Sequence, residues 1–396
     1  MTTARAGLGD VCAVLWPPPA TTSPGRGRTR AGERDLLVLP SAGRPRLLVP
    51  SERRAGAAAV RRYGEPGSLA AWAGSRALAL ALRAGAAHAG LGGRLRISAG
   101  PGTDTIEAYL GGVLGREVLV STHLGAARAN RKPVLQLLTP DGVTAGFAKV
   151  SVSPLTRDLI RAERAALDDL APARLRHLVI PRVLHHGQWR GREVLVLTAL
   201  PVWRRRTPMR PARLAAAMAE LAAVGGRARA RLAASVFLAR LAARLSETPG
   251  GPDRDALVTA LGKLAAADPE LGFGAWHGDW TGWNMASTPD GLLVWDWERF
   301  TRPVPLGFDA LHHGLQTAVV RRGQPAPAAA AACVSTAPAA LAPFGVPPAE
   351  AELTAVLYLA ELSARYLADR QAEAGARLGR PGDWLIPALE KAVQRL

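Results

Sequence analysis

At Pro201 the hydrophobic pattern of this chain shifts from mostly strand-like to almost wholly helical, and that shift limits the fold more than any other feature. Before it, "EVLVSTHL", "PVLQLLT", "TAGFAKVSV" and "LRHLVIPRVLHHGQWRGREVLVLTALP" are short apolar runs that read as strands. "PDG" at 140–142 separates the second from the third and is a hairpin signal. A further turn is expected near "QWRGRE". "DTIEAYLGGVLG" precedes these strands as a short helix, with Asp104 as its expected N-cap. "TRDLIRAERAALDDLA" interrupts them with apolar residues at helical spacing. After Pro201 the pattern is almost wholly helical, from "RPARLAAAMAELAAVGG" to "DWLIPALEKAVQRL". A strand-rich segment followed by a helical one predicts an α+β, two-lobed layout.

The 396 residues suffice for two or three domains. Residues 1–34 are rich in Pro, Gly, Arg and Thr and read as a mobile tail. Within 35–104, "DLLVLPSAGRPRLLVP" reads as two strands around a turn and "SLAAWAGSRALALALRAGAAHAG" as a helix. These predict a small α/β module. Residues 105–200 then form the strand-rich lobe and 201–396 the helical lobe.

Hydrophobic residues make up 48% and charged residues 21%, the balance of a soluble globular protein. Cys12 and Cys333 lie far apart without metal-ligand spacing, which argues against a disulfide framework and fits the reducing cytoplasm. The run "VCAVLW" is short for a signal peptide and ends in "PPPATTSPGRGRTR". The longest uncharged stretch, "GQPAPAAAAACVSTAPAALAPFGVPPA", is too rich in Ala and Pro to predict a membrane span. The net charge is +18, but the arginines are spread over the chain and no nucleic-acid motif accompanies them. The "WRRRTPMRPAR" segment reads as a solvated basic face.

Chemistry concentrates in "WHGDWTGWNMASTPDGLLVWDWERF", residues 276–300, which holds five of the ten tryptophans. Asp279, Asp296 and Glu298 each stand beside one. "PDG" at 289–291 predicts a hairpin with its midpoint near Asp290, placing Asn284 roughly opposite Asp296. Cross-strand neighbours lie about 4.5–5.5 Å apart at Cβ. An amide oxygen and a carboxylate at that separation can share a hard cation such as Mg²⁺. Asp279, on the loop entering the hairpin, can orient an attacking hydroxyl or take its proton. A base, two metal ligands and a loop are the parts that phosphoryl transfer requires.

On an extended strand Trp295 and Trp297 would face away from the Asp296 carboxylate and pack beneath it. Trp280 and Trp283 lie on the loop as candidate contacts to an acceptor, through stacking or cation–π interaction. Lys149, one of four lysines, sits in an apolar strand and so needs an anion. The pairs His185, His186 and His312, His313 lack a metal-site pattern and read as ordinary surface or helix residues.

"HGDWTGWN" followed by "WDWE" resembles the catalytic core of the aminoglycoside phosphotransferase and choline kinase-like family, which has a protein-kinase-like fold. The resemblance implies ATP and Mg²⁺ as cofactors and γ-phosphate transfer to a hydroxyl of a sugar, amino alcohol or aminoglycoside-like molecule. It makes Asp279 the catalytic base, His277 the brace of its loop, and Asn284 and Asp296 the Mg²⁺ ligands. It makes Lys149 the holder of the α- and β-phosphates, oriented by Glu163. "VLVLTALP", with Leu197 and Ala199, becomes the hinge strand that meets adenine through backbone groups. Asp309 in "PLGFDALHH" takes a structural role.

The resemblance leaves residues 1–104 uncovered. It departs from the family in its phosphate loop, "GAARANRK", which has one glycine, and in Trp283, where a small residue is usual. A second class also fits these residues, a catalytically idle binding protein on the same fold. Nucleotide turnover against a small-molecule library separates the two.

Overall fold

The computed structural model describes residues 2–41, 43–63, 69–85, 93–125, 128–203, 205–376 and 378–395. Two compact units emerge, one of Met1–Ala126, Arg131–Ile160 and Arg182–Ala199, the other of Ala127–Asn130, Arg161–Pro181 and Leu200–Leu396.

The strands are β1 Thr21–Pro24, β2 Glu33–Ser41, β3 Arg44–Pro50, β4 Gly93–Ser98, β5 Leu119–His123, β6 Val134–Leu138, β7 Thr144–Val150, β8 Leu178–Val179, β9 Val183–Trp189 and β10 Arg192–Leu197. All but β8 join one nine-stranded sheet in the order β1-β4-β2-β3-β5-β6-β7-β10-β9. Successive side chains on a strand alternate between faces. Leu36 and Val38 accordingly pack with Val11, Leu15 and Trp16 of the N-terminal segment and with Ile106 and Leu110 of helix Ile106–Leu114. Leu37 and Leu39 pack on the other face, with Ala55, Ala59 and Val60 of helix Arg53–Tyr63 and with Leu82 of helix Leu69–Ala84. The sheet is therefore covered on both sides, which explains its near-continuous apolar runs.

Three sequence expectations change here. Residues 2–34 are not a mobile tail: they contain the helix Thr2–Leu15 and strand β1, and Leu15 and Trp16 are buried. Composition misled because the prolines all come after Trp16, while the apolar run before them is enough to cover a sheet face. The stretch 35–104 is not a separate module, since β2 and β3 continue through β5 into the sheet of the following strands. Of the expected helix at 68–90, residues 68 and 86–90 lie outside the described residues. Third, Thr105 rather than Asp104 caps helix Ile106–Leu114, accepting from Ala108 N, while Asp104 accepts from Trp189 Nε1 at 2.6 Å.

The second unit is mainly helical but also holds β11 Ala228–Arg231, β12 Glu270–Trp276, β13 Met285–Thr288, β14 Gly291–Val294 and β15 Thr301–Pro305. These form the sheets β11-β12-β15 and β13-β14-β8. β12 escapes the sequence pattern because "ELGFGAW" carries two glycines where strand-forming residues are usual. A reason is visible at Gly274, where a Cβ would come within 2.3 Å of Ala222 O in the covering segment. Helix Pro348–Ala368 is buried on every side from Thr354 to Arg365, so its neighbours surround it. Cys12 and Cys333 are buried free thiols. Among the described residues no single helix is long and apolar enough to cross a membrane.

Candidate functional site

The site begins where β12 ends at Trp276. His277 is fully buried and hydrogen-bonded at both ring nitrogens. Asp279 N–H donates to Nδ1 at 3.1 Å, so the ring proton lies on Nε2, 3.1 Å from the Trp295 carbonyl. Burial holds this imidazole neutral, pushing its pKa down to about 4 against the pull of Asp279 and Asp296. Trp297 packs on the ring with centroids 4.6 Å apart.

The backbone of the same turn is tied to helix Phe308–Gln316. Asp309 accepts from His277 N at 2.8 Å and from Gly278 N at 3.2 Å. Burial pushes its carboxyl up to about 7, against these two donors. Gly278 has φ +82°, and a Cβ there would lie 2.3 Å from Arg299 O, so only glycine fits. Arg365 Nη1 donates to Gly278 O at 2.5 Å, with its guanidinium 5.9 Å from the Trp276 ring centroid.

These ties fix the Asp279 carboxylate. Asn284 Nδ2 donates to Asp279 Oδ2 at 2.9 Å and to its carbonyl at 3.0 Å. His312 Nε2 lies 3.1 Å from Oδ1. Burial favours the neutral acid, but the His312 hydrogen bond and the Arg365 guanidinium outweigh it. They hold the carboxyl well below the usual carboxylate range. The side chain keeps 34% of its surface exposed and so can meet a molecule from solvent.

The hairpin register differs by one residue from the expected one. Thr288 pairs with Gly291 and Met285 with Val294, so Asn284 stands opposite Trp295, whose N–H donates to Asn284 O at 3.0 Å. The strand ends at Val294, and Asp296 takes φ 72°, a left-handed conformation that Asp tolerates better than most residues. Trp295 and Trp297 therefore do not share one strand face. Trp297 is fully buried, with Nε1 donating to Val294 O, whereas Trp295 is half-buried against Leu200, Val202 and Leu293.

The same turn brings Asp296 and Glu298 to Glu163. Ligand-capable oxygens of the three carboxylates lie within 4.8 Å of one another. Glu163 is fully buried and accepts from Trp297 N at 3.2 Å. Glu298, given no role by the sequence reading, is thus part of this cluster.

Trp280 was expected as a possible acceptor contact, but it is 1% exposed and packs 5.9 Å from His277 between ring centroids. Its indole is core because the turn at Gly278 sends it inward. Trp283 stays 40% exposed. His312, read as an ordinary residue, is fully buried in the site, with Nδ1 3.0 Å from Tyr358 OH. The signal lay in "FDALHH": His312 is one turn beyond Asp309, so both face the loop.

Lys149, Leu197 and Ala199 belong to the strand-rich unit. Lys149 is buried in β7, opposite Leu195 of β10 and Val134 of β6. Leu197 closes β10 and is buried, and Ala199 follows it half-buried.

No family model and no curated protein matches the chain. Among solved structures it is similar to a protein of Haemophilus somnus 129PT assigned as a fructosamine-3-kinase, at 15% identity and TM-score 0.41, covering 73% of this chain and 96% of that one. It is also similar to the amicoumacin kinase hAmiN, at 11% identity and TM-score 0.40, covering 70% and 88%. The GDP complex of aminoglycoside 2'-phosphotransferase-IIIa is similar at 12% identity and TM-score 0.39, covering 67% and 90%.

Proposed function

We propose that the protein is an ATP-dependent phosphotransferase whose acceptor is a hydroxyl of a small molecule: a sugar, an amino alcohol or an aminoglycoside-like compound. The observation that carries this reading is the Asp279 carboxylate, gripped at one oxygen by Asn284 and at the other by His312, yet still open to solvent. A carboxylate kept ionised and pre-aimed suits a group that orients a hydroxyl and takes its proton. The acceptor oxygen forms its bond to the γ-phosphorus as the bond to the β,γ-bridging oxygen breaks. The hydroxyl proton passes to Asp279, and ADP leaves.

His277 holds the turn, and Lys149 is assigned to the nucleotide phosphates, with Glu163 as its acidic counterpart. Leu197 and Ala199 are assigned to the adenine. The gathered oxygens of Asp296, Glu298 and Glu163 suit a hard cation, because Mg²⁺ takes carboxylate oxygens as ligands. Asn284 spends its amide nitrogen on Asp279, which leaves Oδ1 as its donor to such an ion. When bound, Mg²⁺ supplies neutralisation of the phosphate oxygens.

The test is ADP release from MgATP with glucose, choline and kanamycin as acceptors. Asp279→Asn should bind nucleotide as the parent does and lose about 10²–10⁴-fold in turnover. A folded Asp279→Asn protein with parental turnover overturns the reading. A parent that binds ATP and transfers to none of the acceptors points to the idle binding protein.

A further inference from the structure

We infer that His312 is a positioning residue for Asp279, held in one tautomer by Tyr358, so that the line Tyr358–His312–Asp279 offers a single carboxylate geometry to the incoming hydroxyl. The inference rests on the reading of Asp279 as the base.

A buried histidine between aromatic rings can be ordinary core, and His312 does pack 6.4 Å from the Trp276 ring centroid and 6.0 Å from that of Tyr358. Its nitrogens, however, are both committed along one line. Nε2 meets Asp279 Oδ1 at 3.1 Å and Nδ1 meets Tyr358 OH at 3.0 Å. An ionised carboxylate only accepts, so Nε2 carries the proton toward Asp279. The neutral ring then has an acceptor at Nδ1, which the tyrosine O–H satisfies. With Nδ1 occupied, His312 keeps its own proton throughout. The proton taken from the acceptor hydroxyl stays on Asp279 until it leaves to solvent, and His312 is not a second base.

The geometry says what this arrangement does. Asn284 fixes Oδ2 and His312 fixes Oδ1, so rotation of the carboxylate breaks both bonds. Each oxygen has a second lone-pair site free of these two bonds. The same helix holds the loop twice, by its backbone through Asp309 and by its carboxylate through His312. Tyr358 ties that assembly to the buried helix Pro348–Ala368. A misplacement of about 1 Å at a reacting group can cost about 10²-fold in rate.

The experiment uses the full chain and phosphate release from MgATP with water as the acceptor, together with ADP titration and imidazole ¹⁵N resonances. His312→Leu should lower kcat by about 10–10²-fold with ADP affinity unchanged. His312→Gln should regain most of that loss, because its amide N–H can still donate to Oδ1. In the parent, His312 should show a protonated Nε2 and an unprotonated Nδ1, and Tyr358→Phe should shift that pattern and lower kcat several-fold. A folded His312→Leu protein with parental kcat, or a parent protonated at Nδ1, overturns the inference. If His312→Leu does not fold, Tyr358→Phe decides: parental kcat with unmoved nitrogen signals overturns it. An inactive Asp279→Asn beside an active His312→Leu removes this inference alone. An active Asp279→Asn removes the base and this inference with it.

Discussion

In the strand-rich unit, Arg96 meets Asp35 through two bonds, Nε to Oδ1 at 2.9 Å and Nη2 to Oδ2 at 3.2 Å. Arg34 lies 2.5 Å from Glu107, whose carboxylate also accepts from Trp16 Nε1 at 2.8 Å. Both of these buried carboxylates face a guanidinium. In the helical unit, ligand-capable oxygens of Glu163, Asp296 and Glu298 lie within 4.8 Å of one another, and Asp279 is braced by neutral donors while part of its surface stays open. Closed opposite charges can hold a fold and have nothing left to offer a ligand. Gathered carboxylates weaken the fold unless something positive joins them. The contrast separates ion pairs that serve packing from carboxylates that suit chemistry.

The largest effect that would test this contrast is on the packing side. Asp35→Ala removes the two-bond partner of a buried pair and leaves the Arg96 guanidinium only Glu33, at 3.4 Å, and two carbonyls. Its melting temperature should fall markedly, while kcat for MgATP, measured well below that temperature, stays parental. A parental melting temperature with lost turnover would invert the two roles.

Next in size is a pH effect on stability. Folded His277 stays neutral down to about 4, whereas the unfolded ring takes a proton near 6.5. The unfolded state therefore binds more protons between those values, and stability present above pH 6.5 is lost as pH falls toward 4. The loss is about 3 kcal/mol by the lower end. Urea unfolding of the parent and His277→Gln across this range checks it, since the variant should lose the contribution. Equal pH slopes in the two proteins would show that His277 is not held neutral.

The smallest effect concerns the exposed indole. Trp283→Ala should leave the melting temperature nearly unchanged and raise the acceptor's KM by about 2–5-fold. A large fall in melting temperature would place Trp283 with Trp280 in the core.

Much of the site was legible because it is local in sequence. The "HGDWTGWN" loop, the "PDG" hairpin and the aspartate after it lie within 25 residues, and turn chemistry brings them close without help from the rest of the chain. The division into strand-rich and helical segments was equally readable from period. The burial of Trp280 was not, because a positive φ at Gly278 decides which way the loop's side chains point. Nor was the N-terminal helix, whose place depends on a sheet face that only later strands create.

Residue types and spacing alone thus determined the loop, the hairpin, the candidate base and the α+β division, because short-range backbone geometry and hydrophobic period suffice for these. Only the tertiary structure decided that His312, 33 residues from Asp279, grips its carboxylate, that Tyr358 stands behind it, and that Glu298 and Glu163 join Asp296. Those meetings come from packing separate helices and turns around a common core. A side chain's neighbours across such a core are set by three-dimensional fit, to which no short window of sequence has access.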